Sequence, residues 1–306
     1  MSVTTQPQVP ASERAWPRMT FAKAKDYWTL TKPEVNFLVV ASAFAGFYVA
    51  KPGHLLPGLL IHTLLGTVLV ASGTATLNQF MERSGDAQMR RTGYRPLPSG
   101  RMAPSKALAF GLAISIIGAV ELWVKVNAIS SVLAVSTLLS YLLIYTPLKR
   151  KTAWCTFLGA FPGAMPPLIG WAAARGSLSP QAWLLFAIVF LWQFPHFLAI
   201  AWLYRDDYRR AGLHMLPRHD ENGRFTGYEI VVLTIALVAT TLLPVAFRYE
   251  GYLYLAGAIL GGALFLKEAS RMLSHRSLPS ARRLLHASVL YLPLLLVLMV
   301  VDKINW

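Results

Sequence analysis

The sequence predicts an all-α, polytopic membrane protein whose nine transmembrane helices surround a central cavity opening to the cytoplasmic side. Hydrophobic residues make up 55% of the 306 positions and charged residues only 14%, whereas soluble chains carry roughly 25% charged residues. Nine apolar segments approach the ~20 residues with which a helix spans a bilayer. No segment shows the alternating pattern of a strand, so helices are the only spanning elements that this sequence supports.

The chain divides into a polar cytoplasmic tail, residues 1–27, and a membrane domain, residues 28–306. Thr31 and Glu34 stand at capping-box spacing around Pro33, which predicts a helix start. The apolar segments then occupy residues 35–50, 58–80, 104–123, 127–146, 154–174, 181–203, 229–247, 251–270 and 285–301. The first and last are short, so we expect them to tilt little or to extend into their polar flanks.

The N-terminal tail lacks the features of a secretory signal, because it contains prolines and Glu13 and has no apolar core or cleavage site. It is also short and not rich in arginine, which disfavours a mitochondrial transit peptide. The single cysteine, Cys155, lies in an apolar segment. A disulfide framework and a cysteine metal site are therefore excluded, and a buried, inert thiol is expected.

The distribution of basic residues predicts the orientation of the chain. With the N-terminus in the cytoplasm, 24 of the 29 lysines and arginines fall in cytoplasmic segments and five fall outside. Such a bias predicts a cytoplasmic N-terminus and an external C-terminus. It also accounts for the net charge of +15 without nucleic acid as a partner.

A polar stretch at residues 78–98 begins before the second apolar segment has ended. Asn78 and Glu82 are spaced i, i+4, so a helix stacks them on one face, with Asp86 a turn further on. Oxygen-bearing side chains followed by arginines are typical of magnesium and an anion that it bridges. Ser84-Gly85 could end or kink the helix before Asp86. The competing interpretation is a solvated loop whose charges only keep it out of the lipid.

A second acidic stretch, Arg205–Arg210, follows the sixth apolar segment on the same side of the membrane. A helix turns Asp206 and Asp207 to different sides, so only one of them is expected to face a shared cavity. Two acidic stretches across such a cavity would hold two magnesium ions that clamp a diphosphate. The alternative is a loop whose aspartates and arginines pair with each other. The chain can be divided into two four-helix halves plus a ninth helix, and each half has an acidic stretch after its second helix. This arrangement suggests a weak internal repeat.

Basic residues near both stretches are candidates for binding the diphosphate. Lys149 and Arg150 follow the fourth segment, where such residues commonly serve as anchors at the cytoplasmic boundary. Beside two acidic stretches they would also hold phosphate oxygens, arginine through paired hydrogen bonds and lysine as a point charge. Three arginines of the polar stretch could act likewise: Arg83, Arg90 and Arg95.

His196 lies inside the sixth segment, directly after Pro195. An ionisable group at membrane depth is a candidate functional residue. Pro195 also frees backbone acceptors that could satisfy the imidazole, so a structural role stays open. The aromatic residues of segments five and six are core residues, interface anchors, or the lining of a cavity for a long apolar tail or a flat macrocycle.

Five motifs carry a resemblance to a known family. They are Asn78-x3-Glu82-x3-Asp86 with Met89-x-Arg91-Thr92-x2-Arg95-Pro96-Leu97-Pro98, Thr31-Lys32-Pro33, Tyr145-x3-Lys149-Arg150, Phe194-Pro195-His196-Phe197, and Asp207-Tyr208-x2-Ala211-Gly212-x2-Met215-Leu216-Pro217. The first three resemble the UbiA-type intramembrane prenyltransferase superfamily, which includes 4-hydroxybenzoate polyprenyltransferase. Glu82 in place of the usual aspartate, the last motif and Phe194-Pro195-His196-Phe197 are similar to the subfamily that transfers farnesyl to heme.

The resemblance implies a nine-helix fold with a cytoplasmic active site in which magnesium helps to ionise a prenyl diphosphate. For the subfamily it implies transfer of the farnesyl group of farnesyl diphosphate to a vinyl group of heme B. Water addition then gives heme O, with diphosphate released. The implied location is the bacterial inner (plasma) membrane. Heme A synthase and terminal oxidase assembly are implied partners, because heme O feeds terminal oxidases.

The resemblance also assigns roles by position. It implies that Asn78, Glu82 and Asp86 bind one magnesium ion and that Asp207 binds a second. These four are the implied catalytic residues. It gives the diphosphate to Arg83, Tyr145, Lys149 and Arg150, and it makes His196 the candidate contact for heme. Relatives that act on aromatic acceptors carry two aspartates spaced by four residues, which Asp206-Asp207 does not supply. Whether the protein holds a second metal is therefore left open.

Two other functions remain as alternatives. One is a prenyltransferase of the same superfamily that acts on a quinone precursor or a chlorophyllide, against which Glu82 and Met215-Leu216-Pro217 count. The other is a transporter for an anionic solute. A transporter needs polar residues distributed towards the membrane midplane, whereas the polar residues of this chain crowd at one membrane face.

Overall fold

The computed structural model describes residues 16–50, 56–216, 220 and 222–304, and within this part of the chain helices are joined by turns and loops, with one isolated bridge between Glu250 and Lys303 and no strand. The helices in chain order are α1 (Trp16–Thr31), α2 (Pro33–Ala50), α3 (Pro57–Asp86), α4 (Pro104–Lys125), α5 (Ala128–Ser140), α6 (Thr146–Leu148), α7 (Cys155–Gly163), α8 (Pro166–Arg175), α9 (Pro180–Leu203), α10 (Arg205–Arg210), α11 (Arg224–Ala246), α12 (Tyr252–His275) and α13 (Leu278–Val301). A π-helical turn at Tyr141–Tyr145 joins α5 to α6.

Nine helical stretches within the described ranges are long and apolar enough to cross a membrane, which confirms the predicted number. The fifth, Cys155–Arg175, consists of two helices, because α7 ends at Gly163 and α8 begins at Pro166. Pro166 and Pro167 cannot donate backbone hydrogen bonds, so a helix cannot run through them but can start there. The central cavity stays a prediction.

The predicted helix start near residue 31 is confirmed, but the predicted cap is wrong. The Thr31 hydroxyl donates to the Trp28 carbonyl at 2.8 Å, because Thr31 ends a preceding helix, α1, that was not predicted from the sequence. Pro33 disfavours helical backbone at the residue before it, and Lys32 accordingly leaves the helix with φ at 49°. Asn36 ties the junction to α3 by donating to Ser72 Oγ at 2.8 Å.

Close helix crossings bring the spans together through small residues. A Cβ on Gly46 of α2 would lie 2.2 Å from the Pro167 carbonyl oxygen, and one on Gly170 of α8 would lie 1.9 Å from that of Ala43. Small residues let helix backbones approach in this way where lipid provides no hydrophobic drive to pair them. α2 and α8 are therefore held in direct backbone contact.

α3 continues without a break to Asp86, so Ser84-Gly85 does not end it. The chain then doubles back through turns at residues 87–103. The Thr92 hydroxyl donates to the Asp86 carbonyl at 2.9 Å, which satisfies a backbone acceptor at the helix end. The end of α3 and this loop position the polar residues described next.

Candidate active site

The amide of Asn78 is the innermost polar group of the site and is 1% exposed. Its Nδ2 donates to Thr146 Oγ1 at 3.1 Å, and its Oδ1 accepts from Lys32 Nζ at 3.4 Å. Thr146 stands just beyond the π-helical turn, so the second and fourth spans meet here. Asn78 thereby connects three parts of the chain that are distant in sequence.

Glu82 lies one helical turn further along α3 and forms an ion pair with Lys149, with Nζ 2.9 Å from Oε1. The ammonium also lies 4.3 Å from the centroid of the Tyr145 ring. Burial works against the charged form, but Tyr145 and Glu82 outweigh it and hold the pKa of Lys149 well above its ordinary value. Lys149 is therefore a buried amine whose charged form is favoured by the carboxylate beside it.

Asp86 is 1% exposed, and its Oδ2 lies 2.8 Å from Arg95 Nη1 in the loop after α3. The turns at residues 87–103 reverse the chain and return this arginine to the helix end. Asn78, Glu82 and Asp86 thus line one helix, as their spacing predicts, and the latter two each face a cation.

Asp207, in α10, is buried and forms an ion pair with Arg210. Its Oδ2 also accepts from the backbone N–H of Arg91 at 3.3 Å, and the Arg91 guanidinium donates to the Tyr208 hydroxyl at 3.3 Å. Asp206 is exposed, in agreement with the expectation that only one of the two aspartates turns inwards. The two acidic stretches therefore meet through Arg91.

Three of the predicted diphosphate-binding arginines lie at the rim rather than inside the cluster. Arg83 is exposed, and it donates to the Phe80 carbonyl at 2.7 Å and lies 4.6 Å from the centre of the Phe80 ring. Arg90 is exposed. Arg150 is exposed as well, with Nη2 3.5 Å from Ser84 Oγ. The structure brings Arg95, Lys149 and Tyr145 into the cluster but not these three.

Lys32, Arg91 and Thr146 belong to the cluster although no role was predicted for them from the sequence. Burial first, and then the charges of Arg95 and Lys149, lower the pKa of Lys32 to about 7. Lys32 lies in the Thr31-Lys32-Pro33 motif, and Arg91 lies in the Met89-x-Arg91-Thr92 motif. For Lys32, the sequence signal was its position directly before a proline, where a helix is interrupted. Thr146 had no local signal.

The donor set fits magnesium that arrives together with a phosphate ligand. No group of three or more His, Cys, Asp or Glu side chains in the described ranges is close enough to hold a metal by itself. The donors at hand are carboxylate and amide oxygens, and magnesium commonly uses one or two carboxylates completed by substrate phosphates. The cations now paired with Glu82 and Asp86 are suited to bind the same phosphates.

His196 lies apart from this cluster, seven residues before the end of α9. It is half-buried, with Nδ1 2.8 Å from Ser288 Oγ on α13.

Comparisons with known proteins place this arrangement among membrane prenyltransferases. The model of the UbiA prenyltransferase family matches residues 39–293. A protoheme IX farnesyltransferase from Solibacter usitatus (strain Ellin6076) is 50% identical over 288 residues, which cover 91% of this chain and 99% of the relative. Another of that name, from Koribacter versatilis (strain Ellin345), is 45% identical over 314 residues, which cover 99% of each chain.

Two solved structures are similar in fold. Digeranylgeranylglyceryl phosphate synthase matches with a TM-score of 0.76 at 18% identity, over 92% of this chain and 98% of that chain. A UbiA homolog from Archaeoglobus fulgidus, bound to GPP and Mg2+, matches with a TM-score of 0.64 at 14% identity, over 90% and 99%. At these identities the likeness shows the fold.

Proposed function

The chain belongs to the UbiA prenyltransferase family, and we propose that it transfers the farnesyl group of farnesyl diphosphate to a vinyl group of heme B. Water addition gives heme O, and diphosphate is released. Relatives named protoheme IX farnesyltransferase, at 36–50% identity over most of the chain, support this acceptor and donor. Within the site, the observation that carries the proposal is the buried Lys149 ammonium held against Glu82 at 2.9 Å.

Binding of the diphosphate exchanges partners within the cluster. Lys149, Lys32 and Arg95 turn from their present acceptors to the phosphate oxygens, where their charges stabilise the departing diphosphate. Asn78, Glu82, Asp86 and Asp207 are then the oxygen donors that would hold magnesium. That metal, when bound, supplies a Lewis acid that polarises the phosphate oxygens. The Archaeoglobus fulgidus homolog, which is bound to GPP and Mg2+, supports magnesium as the cofactor.

Tyr145 and the rim arginines complete the proposed diphosphate site. The Tyr145 ring lies under the Lys149 ammonium and orients it by a cation–π contact. Arg83, Arg90 and Arg150 are exposed and attract the anionic substrate from the cytoplasm, where a basic rim raises the local concentration of an anion.

The chemistry explains why a charged cluster stands at the end of apolar helices. A vinyl group is a weak nucleophile, so the allylic C–O bond must break before the new C–C bond forms. Apolar surroundings keep water away from the farnesyl cation. Attack by the vinyl group leaves a second cation on the heme side chain, which water captures with loss of a proton to give the hydroxyl group of heme O.

The proposed setting is the inner membrane of a bacterium. Nine apolar spans and the family place the chain in a membrane as a multi-pass protein. The excess of basic residues on one side supports a cytoplasmic N-terminus and an external C-terminus. The lipid bilayer is then the solvent of both substrates, and heme A synthase and terminal oxidase assembly are the proposed users of the product.

The test incubates membranes that contain the protein with heme B, farnesyl diphosphate and magnesium, and then analyses extracted heme by mass spectrometry. The expected product has the mass of heme B plus farnesyl and hydroxyl groups, and it requires all three additions. Formation of a prenylated quinone precursor or chlorophyllide, with heme B unchanged, would assign the chain to another acceptor.

A further inference from the structure

The amide of Asn78 is oriented by a hydroxyl on another span. Its Nδ2 donates to Thr146 Oγ1 at 3.1 Å, and the Thr146 hydroxyl donates to the Tyr141 carbonyl at 2.9 Å. A threonine hydroxyl carries a single hydrogen, so Thr146 can only accept from Asn78. The side of the amide that faces Thr146 must therefore be its NH2 group.

Lys32 selects the same orientation from the other side of the amide. Its Nζ donates to Asn78 Oδ1 at 3.4 Å, and the oxygen is the only atom of an amide group that can accept. A rotated amide would turn its NH2 group towards this donor and its oxygen towards Thr146 Oγ1, so both contacts would be lost. Asn78 is 1% exposed, and water is therefore not at hand to replace them.

The winding of the fourth span directs the Thr146 hydroxyl. Pro147 has no N–H, and a proline ring crowds the carbonyl four residues earlier in an α-helix. The preceding turn, Tyr141–Tyr145, is wound as a π-helix, in which N–H groups reach five residues back rather than four. The N–H and the hydroxyl of Thr146 accordingly both donate to the Tyr141 carbonyl. This π-helical turn commits the hydroxyl hydrogen and leaves the oxygen to accept from Asn78.

The selected orientation decides which Asn78 atom can meet a cation. An amide NH2 group only donates hydrogen bonds, whereas the amide oxygen has two lone pairs. Magnesium takes oxygen ligands and is commonly completed by substrate phosphates. Asn78 Oδ1 faces Lys32, which the proposed function assigns to the diphosphate. The oxygen is therefore turned towards the phosphates that a magnesium ion would bridge.

We infer that Thr146 is a positioning residue for metal binding, because its hydroxyl, held by the π-helical turn, presents Asn78 Oδ1 to magnesium. The inference rests on the proposed function, since it takes Asn78 as a magnesium ligand and Lys32 as a diphosphate ligand. Thr146 itself does not bind the metal, because its oxygen accepts from Asn78 and its hydrogen is donated to Tyr141. Outer partners of this kind orient metal ligands, and their loss commonly weakens metal binding by about tenfold to a hundredfold.

The test measures the binding of Mn2+, a paramagnetic substitute for magnesium, to the purified full-length protein in detergent. Farnesyl thiodiphosphate, an analogue whose allylic bond resists cleavage, occupies the site, and free Mn2+ is measured by electron paramagnetic resonance. A protein-free titration corrects for Mn2+ held by the analogue alone. Thr146→Val keeps the β-branched shape but removes the hydroxyl, and it is expected to weaken Mn2+ binding by about tenfold or more. Thr146→Ser keeps the hydroxyl and is expected to bind Mn2+ as the wild type does.

Two controls separate orientation of the amide from loss of packing. Thr137→Val removes a hydroxyl that donates to the Leu133 carbonyl at 2.7 Å within α5, and it is expected to leave Mn2+ affinity unchanged. Asn78→Asp replaces the amide by a carboxylate with two oxygens, so no partner has to orient it. Adding Thr146→Val to Asn78→Asp is therefore expected to cause little further loss. The difference between the two backgrounds measures the coupling of the two side chains.

Three results would overturn the inference. They are no Mn2+ binding by the wild type with the analogue present, unchanged Mn2+ affinity in Thr146→Val, and an equal loss from Thr146→Val in both backgrounds. Mn2+ binding that depends on Thr146, in a protein that forms no heme O, would instead overturn the proposed function and leave the inference standing.

Discussion

At the scale of single residues, the charge of Glu82 is the feature most open to test. Its carboxylate lies 2.9 Å from the Lys149 ammonium, and Glu82→Gln preserves size and hydrogen bonding while it removes the charge. We expect heme O formation to fall by about a hundredfold or more, because catalytic electrostatic contacts are worth that much, at near-normal protein level. Turnover is measured against magnesium concentration. Wild-type turnover in this variant, or full wild-type activity in excess chelator, would refute the metal assignment.

The two adjacent aspartates of α10 supply a matched pair of variants. Asp207 is buried against Arg91 and Arg210, and Asp206 is exposed. We expect Asp207→Asn to abolish turnover and Asp206→Asn to retain most of it, since an exposed carboxylate contributes at most about 1 kcal/mol. The measurement is heme O formed per mole of folded enzyme, with magnesium titrated for each variant. Equal losses would mean that both carboxylates serve the site.

Lys32 is expected to bind the diphosphate. Its amino group is buried beside Asn78 at 3.4 Å, where burial lowers its pKa to about 7. A bound diphosphate favours the protonated form, and a charge-assisted hydrogen bond is worth about 1.5–3 kcal/mol. Lys32→Gln should therefore weaken farnesyl diphosphate binding by about tenfold or more, measured by direct titration. Lys25→Gln, at an exposed position of α1, is the control and should bind as the wild type does. Equal affinities of the two variants would remove Lys32 from the site.

At the scale of helices, the crossing of α2 and α8 depends on the absence of a side chain. A Cβ at Gly170 would lie 1.9 Å from the Ala43 carbonyl oxygen, so Gly170→Ala must separate the helices. Overpacking of this kind costs about 1–3 kcal/mol, and we expect a lower temperature of thermal unfolding in detergent. Gly58→Ala is the control, because a Cβ there meets nothing within 4 Å and alanine favours the helix. A Gly170→Ala protein as stable as the control would mean that the crossing is loose.

At the scale of the whole molecule, the orientation of the nine spans decides on which side the cluster opens. If the basic residues mark the cytoplasm, a reporter that is active only outside the cytoplasm will work when fused after Trp306 and fail when inserted near Asp220. Trp306 lies outside the described residues, so the charge distribution alone carries this prediction. The reverse pattern would place the cluster on the external side.

The sequence by itself determined the features that depend only on residues close together along the chain. Apolar runs long enough to span a bilayer predict nine spans, because lipid leaves helices as the only satisfied backbone. The spacing of Asn78, Glu82 and Asp86 places them on one face, because the helix repeat is fixed. The same repeat separates Asp207 from Asp206.

Only the tertiary structure decided which charges meet. Lys149 reaches Glu82 from the fourth span, and the Arg91 backbone reaches Asp207 across more than a hundred residues. Lys32 enters the cluster because a helix break before Pro33 aims it there, whereas Arg83 turns back to its own helix. Such contacts are set by the packing of distant helices and by the direction of each side chain. Neither leaves a periodic signal in the sequence, since each depends on backbone separations that the folded bundle alone establishes.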